Sequence, residues 1–159
     1  MKNQELGIKN ATLMTFTAGI DVGSTYTKAA ILGEDARLAG RALIKTGFKL
    51  AEASRRAYDA ALADAGIREA DVAYLIATGY GRHQVTFADV HVTDLTAAAR
   101  GAALLYPGTR TILDVGGQTM KATRLTDQAR VHSFRLNDKC AAGTGAFLEK
   151  TARYMGYST

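Results

Sequence analysis

Apolar and polar residues alternate along the first part of the chain, and the period of the alternation changes at identifiable points. Residues 15–22 and 25–32 read with a period of two and predict two strands joined at Gly23-Ser24-Thr25. Residues 36–46 continue in the same manner as a third strand. Over 49–65 the spacing becomes helical. Leu50, Ala53, Ala57, Tyr58, Ala61, Leu62 and Ala65 share one face, with Glu52, Arg55, Arg56 and Asp59 opposite. Gly66 is a natural stop. Val72 to Ala77 is an unbroken apolar run, the signature of a buried strand. It ends in the glycine turn Thr78-Gly79-Tyr80-Gly81-Arg82, and a short strand is expected at 90–92.

Asp94 is suited to cap a helix over 95–106 whose apolar face is Leu95, Ala98, Ala99, Ala102 and Leu105. Pro107-Gly108 ends it. The pattern then restarts, with strands expected at 110–115, 119–125 and 130–136 and a turn at Gly116-Gly117. A last helix is expected from about Thr144 to Met155, carrying Phe147, Leu148, Thr151 and Met155. The order is β-β-β-α-β-α followed by β-β-β-α, an α/β arrangement whose second block opens like the first and stops earlier.

The restart is visible in the residues themselves. Asp21-Val22-Gly23-Ser24-Thr25-Tyr26-Thr27-Lys28 and Asp114-Val115-Gly116-Gly117-Gln118-Thr119-Met120-Lys121 both read D-V-G-x-x-x-x-K after an apolar, β-branched run. The separation is too long for a solenoid repeat and suits a duplicated domain. Glycine at each tip lets a ligand approach the backbone. Gly23, Ser24 and Thr25 on one side, and Gly116 and Gly117 on the other, offer amide and hydroxyl donors to phosphate oxygens. Lys28 and Lys121, on the outgoing strands, can point back at the same anion, although either also reads as a solvated strand residue. Asp21 and Asp114 can hold Mg²⁺ through water. Gln118 can orient an attacking water. Positioning, a metal and charge neutralisation are what phosphoryl transfer requires. A lone D-V-G-S-T is an ordinary turn; two copies in matching contexts turn the reading to nucleotide binding. There is no Walker motif, because the G-x-G at Gly143 and Gly145 lacks a following Lys-Ser/Thr.

Composition narrows the setting. The 159 residues suffice for one ordinary core, and 47% are hydrophobic. The formal net charge of +5 is scattered rather than gathered in a Lys/Arg block, so nucleic acid is not an expected partner. No apolar run is long enough to cross a bilayer. Residues 1–15 lack a signal-peptide core and read as a disordered extension. One cysteine, Cys140, excludes an intrachain disulfide and fits a reducing cytoplasm.

Together these residues resemble the actin/Hsp70/sugar-kinase superfamily, in which two ribonuclease H-like domains each supply a phosphate hairpin. Asn137-Asp138-Lys139-Cys140-Ala141-Ala142-Gly143-Thr144-Gly145, with Phe147-Leu148-Glu149 after it, narrows the resemblance to the BadF/BadG/BcrA/BcrD ATPases. Those proteins activate 2-hydroxyacyl-CoA dehydratases or drive benzoyl-CoA reductases. Thr78-Gly79-Tyr80-Gly81-Arg82 and Ala99-Arg100-Gly101-Ala102 are also similar to that family, and the match runs from about Thr17 to the last residue.

The resemblance implies a cytoplasmic, ATP-hydrolysing electron pump. Two homologous or identical ATPase subunits share one [4Fe-4S] cluster, take electrons from ferredoxin and pass them to catalytic reductase or dehydratase subunits. Cys140 matches a cluster cysteine of the family. It also implies a first domain over 16–93, a connecting helix over 94–108, and a second domain that begins at 109 and is incomplete at 159. The family's second cluster cysteine and its adenosine-binding segment would then follow Thr159. Thr119 stands where many activators carry Asp, and Ala98 where some carry His. Val92 to Thr96 with Gly117 to Lys121 is more similar to the benzoyl-CoA reductase branch, which is the expected function. The alternatives are a dehydratase activator, a sugar-kinase-like phosphotransferase, and a partial nucleotide-binding module without activity.

Overall fold

A computed structural model describes residues 15–139 and 142–158. The expected extension over 1–15 lies outside them apart from Thr15, and so does Cys140. Three strands open the chain: β1 (Phe16–Val22), β2 (Tyr26–Leu32) and β3 (Leu38–Lys45). Helix α1 (Leu50–Ala65) then crosses to β4 (Val72–Thr78), and a two-residue β5 (Val90–His91) follows. These strands form one sheet in the order β3-β2-β1-β4-β5. β1, β2 and β3 pair antiparallel, whereas β4 lies parallel to β1 and β5 parallel to β4.

The alternation in β1 and β2 determines which face is covered. Ile20 and Val22 of β1 and Ala29 and Ile31 of β2 are buried, and Ala57, Tyr58, Ala61 and Leu62 of α1 close over them. Fully burying an isoleucine or valine side chain is worth about 1.5–3 kcal/mol, so this small set dominates the core. The alanine-rich face of α1 brings the helix down onto β3. A Cβ added to Gly40 would lie 2.5 Å from the Ala61 carbonyl oxygen. At the polar edge of α1, the Arg55 guanidinium lies over the Tyr58 and Phe87 rings and donates to Glu69 at 2.9 and 2.6 Å. The helix ends as expected at Gly66, in the left-handed region with φ 66°.

Helix α2 (Asp94–Leu105) leads from β5 to a second sheet of antiparallel strands, β6 (Thr111–Val115), β7 (Met120–Leu125) and β8 (Val131–Asn137). Helix α3 (Gly145–Tyr154) follows. Two expectations are corrected here. The cap of α2 is Thr93, whose Oγ1 accepts from the Thr96 N–H at 3.2 Å; Asp94 is the first helical residue. Both types cap well, and tertiary contacts draw the Asp94 carboxylate elsewhere. The expected apolar face of α2 is also only partly used: Ala99 is buried, whereas Leu105 is 73% exposed. Leu113 and Val115 of β6 and Phe147 and Leu148 of α3 are likewise exposed. No helix among the described residues is long and apolar enough to cross a membrane.

Candidate functional site

The turn between β1 and β2 closes through the Gly23 N–H, which donates to the Tyr26 carbonyl at 3.1 Å. The antiparallel register sets Asp21 opposite Lys28, and Lys28 Nζ reaches Asp21 Oδ2 at 2.8 Å. Behind the tip stands Thr46, the residue that follows β3. Its N–H donates to the Thr25 carbonyl at 3.0 Å and its hydroxyl to the Gly23 carbonyl at 2.8 Å. That hydroxyl proton is then committed, so Thr46 Oγ1 accepts from Thr27 Oγ1 at 2.9 Å. Thr27 and Thr46 are buried, and the backbone of the tip is held from both sides.

The parallel pairing of β1 with β4 brings in a further segment. Asp21 is level with Thr78, so the glycine turn after β4 begins beside the tip. The Gly81 N–H donates to the Val22 carbonyl at 2.9 Å. Gly79 has φ +89°, and a Cβ there would lie 2.3 Å from Asp21 Oδ1 and 2.6 Å from the Val22 carbonyl oxygen. Only glycine tolerates both the conformation and the contact.

The second tip is built on the same plan. The Gly116 N–H donates to the Thr119 carbonyl at 2.8 Å, and Asp114 is opposite Lys121 in the ladder. Its support comes from α3. Gly145 N–H donates to the Gly116 carbonyl at 2.8 Å, Ala146 N–H to the Gly117 carbonyl at 3.1 Å, and Thr144 Oγ1 to the Gly117 carbonyl at 3.1 Å. A helix start leaves unpartnered N–H groups; here two of them hold the tip.

The two tips meet. A Cβ added to Gly117 would lie 2.7 Å from Thr25 Oγ1. Ser24 and Gln118 are the chain neighbours of Thr25 and Gly117 at this junction. The structure therefore brings Gly23, Ser24 and Thr25 to the same place as Gly116 and Gly117, each tip with its own aspartate–lysine pair. Both lysines, expected to point at an anion, rest on carboxylates. Lys28 is half-exposed, whereas the Lys121 side chain is 15% exposed and lies 2.5 Å from Asp94 Oδ2 and 3.5 Å from Asp114 Oδ2. Burial works to lower the Lys121 pKa, but the ion pairs with Asp94 and Asp114 outweigh it and raise it. Among the described residues no group of three or more His, Cys, Asp or Glu is gathered to hold a metal ion. Asp21 and Asp114 thus offer one carboxylate per tip, a donor set suited to a cation that keeps much of its water.

Thr46, Gly79, Asp94 and Thr144 escape a sequence reading as parts of this site. Thr46 ends an ordinary alternating strand. Gly79 lies in a turn that is visible in the sequence, but its contact with Asp21 depends on the strand order.

Comparison with known proteins defines the class. The fold is the actin/Hsp70/sugar-kinase type, with a mixed sheet and flanking helices. The activator of the 2-hydroxyisocaproyl-CoA dehydratase from Clostridium difficile, solved with bound ADPNP, superposes with a TM-score of 0.81 at 35% identity, covering 90% of this chain and 53% of that one. The sequence matches the BadF/BadG/BcrA/BcrD ATPase family over residues 18–159, and the chain belongs to that family. An activator of lactoyl-CoA dehydratase from Anaerotignum propionicum is 41% identical over 140 residues, 88% of this chain and 54% of the relative. A subunit of benzoyl-CoA reductase from Thauera aromatica is 36% identical over 150 residues, 90% and 52% of the two. The chain spans about half the length of the curated relatives it matches.

Proposed function

We propose that this chain is the nucleotide-phosphate half of an ATP-hydrolysing activator of a 2-hydroxyacyl-CoA dehydratase. The observation that carries the reading is the meeting of the two tips, with Gly117 against Thr25 and an aspartate–lysine pair beside each. The relatives named as dehydratase activators support that substrate class over the aromatic one, reversing the preference drawn from Val92 to Thr96. Benzoyl-CoA reductase is the second reading, supported by the similarity to the Thauera aromatica protein.

In this reading Gly23, Gly116 and Gly117 let phosphate oxygens approach the backbone, and Ser24 and Thr25 donate to them. Lys28 leaves Asp21 to neutralise the added charge. Asp21 and Asp114 hold Mg²⁺ through water, and Gln118 orients the attacking water. The magnesium ion would supply charge neutralisation along the phosphate chain. In the same reading β1–β5 with α1 form the first unit, α2 the connector, and residues from 109 onward belong to the second. Cys140 contributes one thiolate to a [4Fe-4S] cluster that other cysteines complete, as a tetrathiolate site requires. The partners are a second ATPase subunit, the catalytic dehydratase and a low-potential donor of the ferredoxin type.

The test is anaerobic. The protein, reconstituted with iron and sulfide and supplied with ATP and a strong reductant, is expected to switch on a 2-hydroxyacyl-CoA dehydratase. Switching on benzoyl-CoA reduction alone selects the second reading. Cys140→Ser is expected to remove bound iron and spare ATP binding. Full ATP-dependent phosphorylation of a sugar by Cys140→Ala would overturn both readings in favour of a kinase.

A further inference from the structure

We infer that Lys121 is a positioning residue that ties the first turn of α2 to Asp114, and that it does not share the phosphate-directed task of Lys28. The inference rests on the proposed ATPase reading for the task of Asp114. The geometry of the three side chains carries it.

Asp94 is released from capping because Thr93 caps α2. Its Oδ1 accepts from the Leu95 N–H at 2.9 Å, which orients the carboxylate. Its Oδ2 then faces Lys121 Nζ at 2.5 Å, and the same ammonium is 3.5 Å from Asp114 Oδ2. An ammonium has three donors on a flexible stem, and here two directions are committed. The closer partner is Asp94, so Asp114 is steadied by the longer contact. Moving Lys121 to a phosphate would break both ion pairs of a side chain that is 15% exposed. Lys28 meets no such obstacle: the ion pair it makes is with Asp21, and half of its side chain faces water.

The placement in the chain gives the link its consequence. Asp94 follows β5, the edge strand of the first sheet, and Lys121 lies on β7, the middle strand of the second. A shift of α2 relative to β7 changes the Asp94–Lys121 contact and hence the setting of Asp114. Such a link stabilises geometry at the reacting phosphate more than it stabilises bound nucleotide.

The test uses the whole protein and two readouts. The first is the rate at which an amine-acylating reagent modifies each lysine without nucleotide, followed by mass spectrometry. Lys28 is expected to react faster than Lys121, and Asp94→Asn to speed modification of Lys121. The second is ATP turnover. Lys121→Met is expected to lower kcat by about 10- to 100-fold with KM little changed, the pattern of a lost transition-state geometry. Asp94→Asn should act in the same direction, the double variant should be no worse than Lys121→Met, and Lys121→Arg should restore part of kcat. Lys28→Met should instead raise KM. Equal modification of the two lysines overturns the inference. So does a Lys121→Met variant that raises KM as Lys28→Met does while Asp94→Asn is silent. A wild-type protein that binds no ATP overturns the ATPase reading instead, and the acylation rates then decide the lysine placement by themselves.

Discussion

At the first hairpin, Lys28 lies across the ladder from Asp21 and keeps half of its side chain in water; at the second, Lys121 lies across from Asp114 and is nearly covered. The two share D-V-G-x-x-x-x-K and the same antiparallel register. What differs is the third party. The first tip is braced by Thr46 just after β3 and by the Gly79 turn after β4, which crowd its backbone and its aspartate. The second is braced by the start of α3 and by Asp94 of α2, which engages its lysine. Equal local sequences thus acquire unequal freedom, because the neighbours that arrive from elsewhere in the chain are different.

The largest expected effect tests whether the second aspartate is functional. Asp114→Ala should reduce ATP hydrolysis about 100-fold, the scale of a misplaced reacting group. It should barely move the urea midpoint, since Asp114 is partly exposed and Lys121 retains Asp94. A loss of stability in proportion to activity would make Asp114 a structural residue.

Substitutions at the tips come next. Gly79→Ala forces a positive φ and a Cβ against Asp21 and Val22, and should cost about 3 kcal/mol in chemical denaturation. Gly117→Ala meets the Thr25 hydroxyl, a side chain able to rotate away, and should cost about 1 kcal/mol. Equal losses would show the tip-to-tip contact to be as rigid as the packing behind the first tip. Thr46→Val removes the hydroxyl that serves both Gly23 and Thr27, and should cost about 1–2 kcal/mol through the polar groups left behind.

The smallest effect is electrostatic and confined to the first half. Hydrogen bonds from Arg55 hold the Glu69 carboxyl below its usual range. A lowered folded-state pKa stabilises above the unfolded value of about 4.3. That contribution fades as pH falls through the lower folded value. Both side chains are about half exposed, so Glu69→Gln should cost less than ~1 kcal/mol at neutral pH. The difference from wild type should disappear in acid; a difference that persists there would assign the loss to packing.

Much of this is legible in the chain. Among the described residues, eight strands and three α-helices fall where the periods of Ile20/Val22, Ala57/Ala61 and Leu113/Val115 indicate, within a few residues. Each hairpin is readable because its aspartate, glycines and lysine are close in sequence. The cap of α2 is not, because Thr93 and Asp94 are both capping types and local preference favours the aspartate, whereas the structure uses Thr93 and pairs Asp94 with distant Lys121. Leu105 is expected inside and lies outside, since helical periodicity names a face without saying how much of it a neighbour covers. Cys140 lies outside the described residues, and its proposed part comes from the resemblance of the motif around it.

The amino-acid sequence by itself determined the alternation that makes the strands, the alanine face of α1, and the glycine and acidic residues at each turn, because these are local preferences of backbone and side chain. Tertiary structure decided that Gly79 abuts Asp21, that Thr46 holds the first tip, that Gly117 meets Thr25, and that Lys121 is shared by Asp94 and Asp114. Those outcomes depend on parallel pairing, strand order and the docking of α2 and α3, which join residues far apart in the chain and which no short stretch of it encodes.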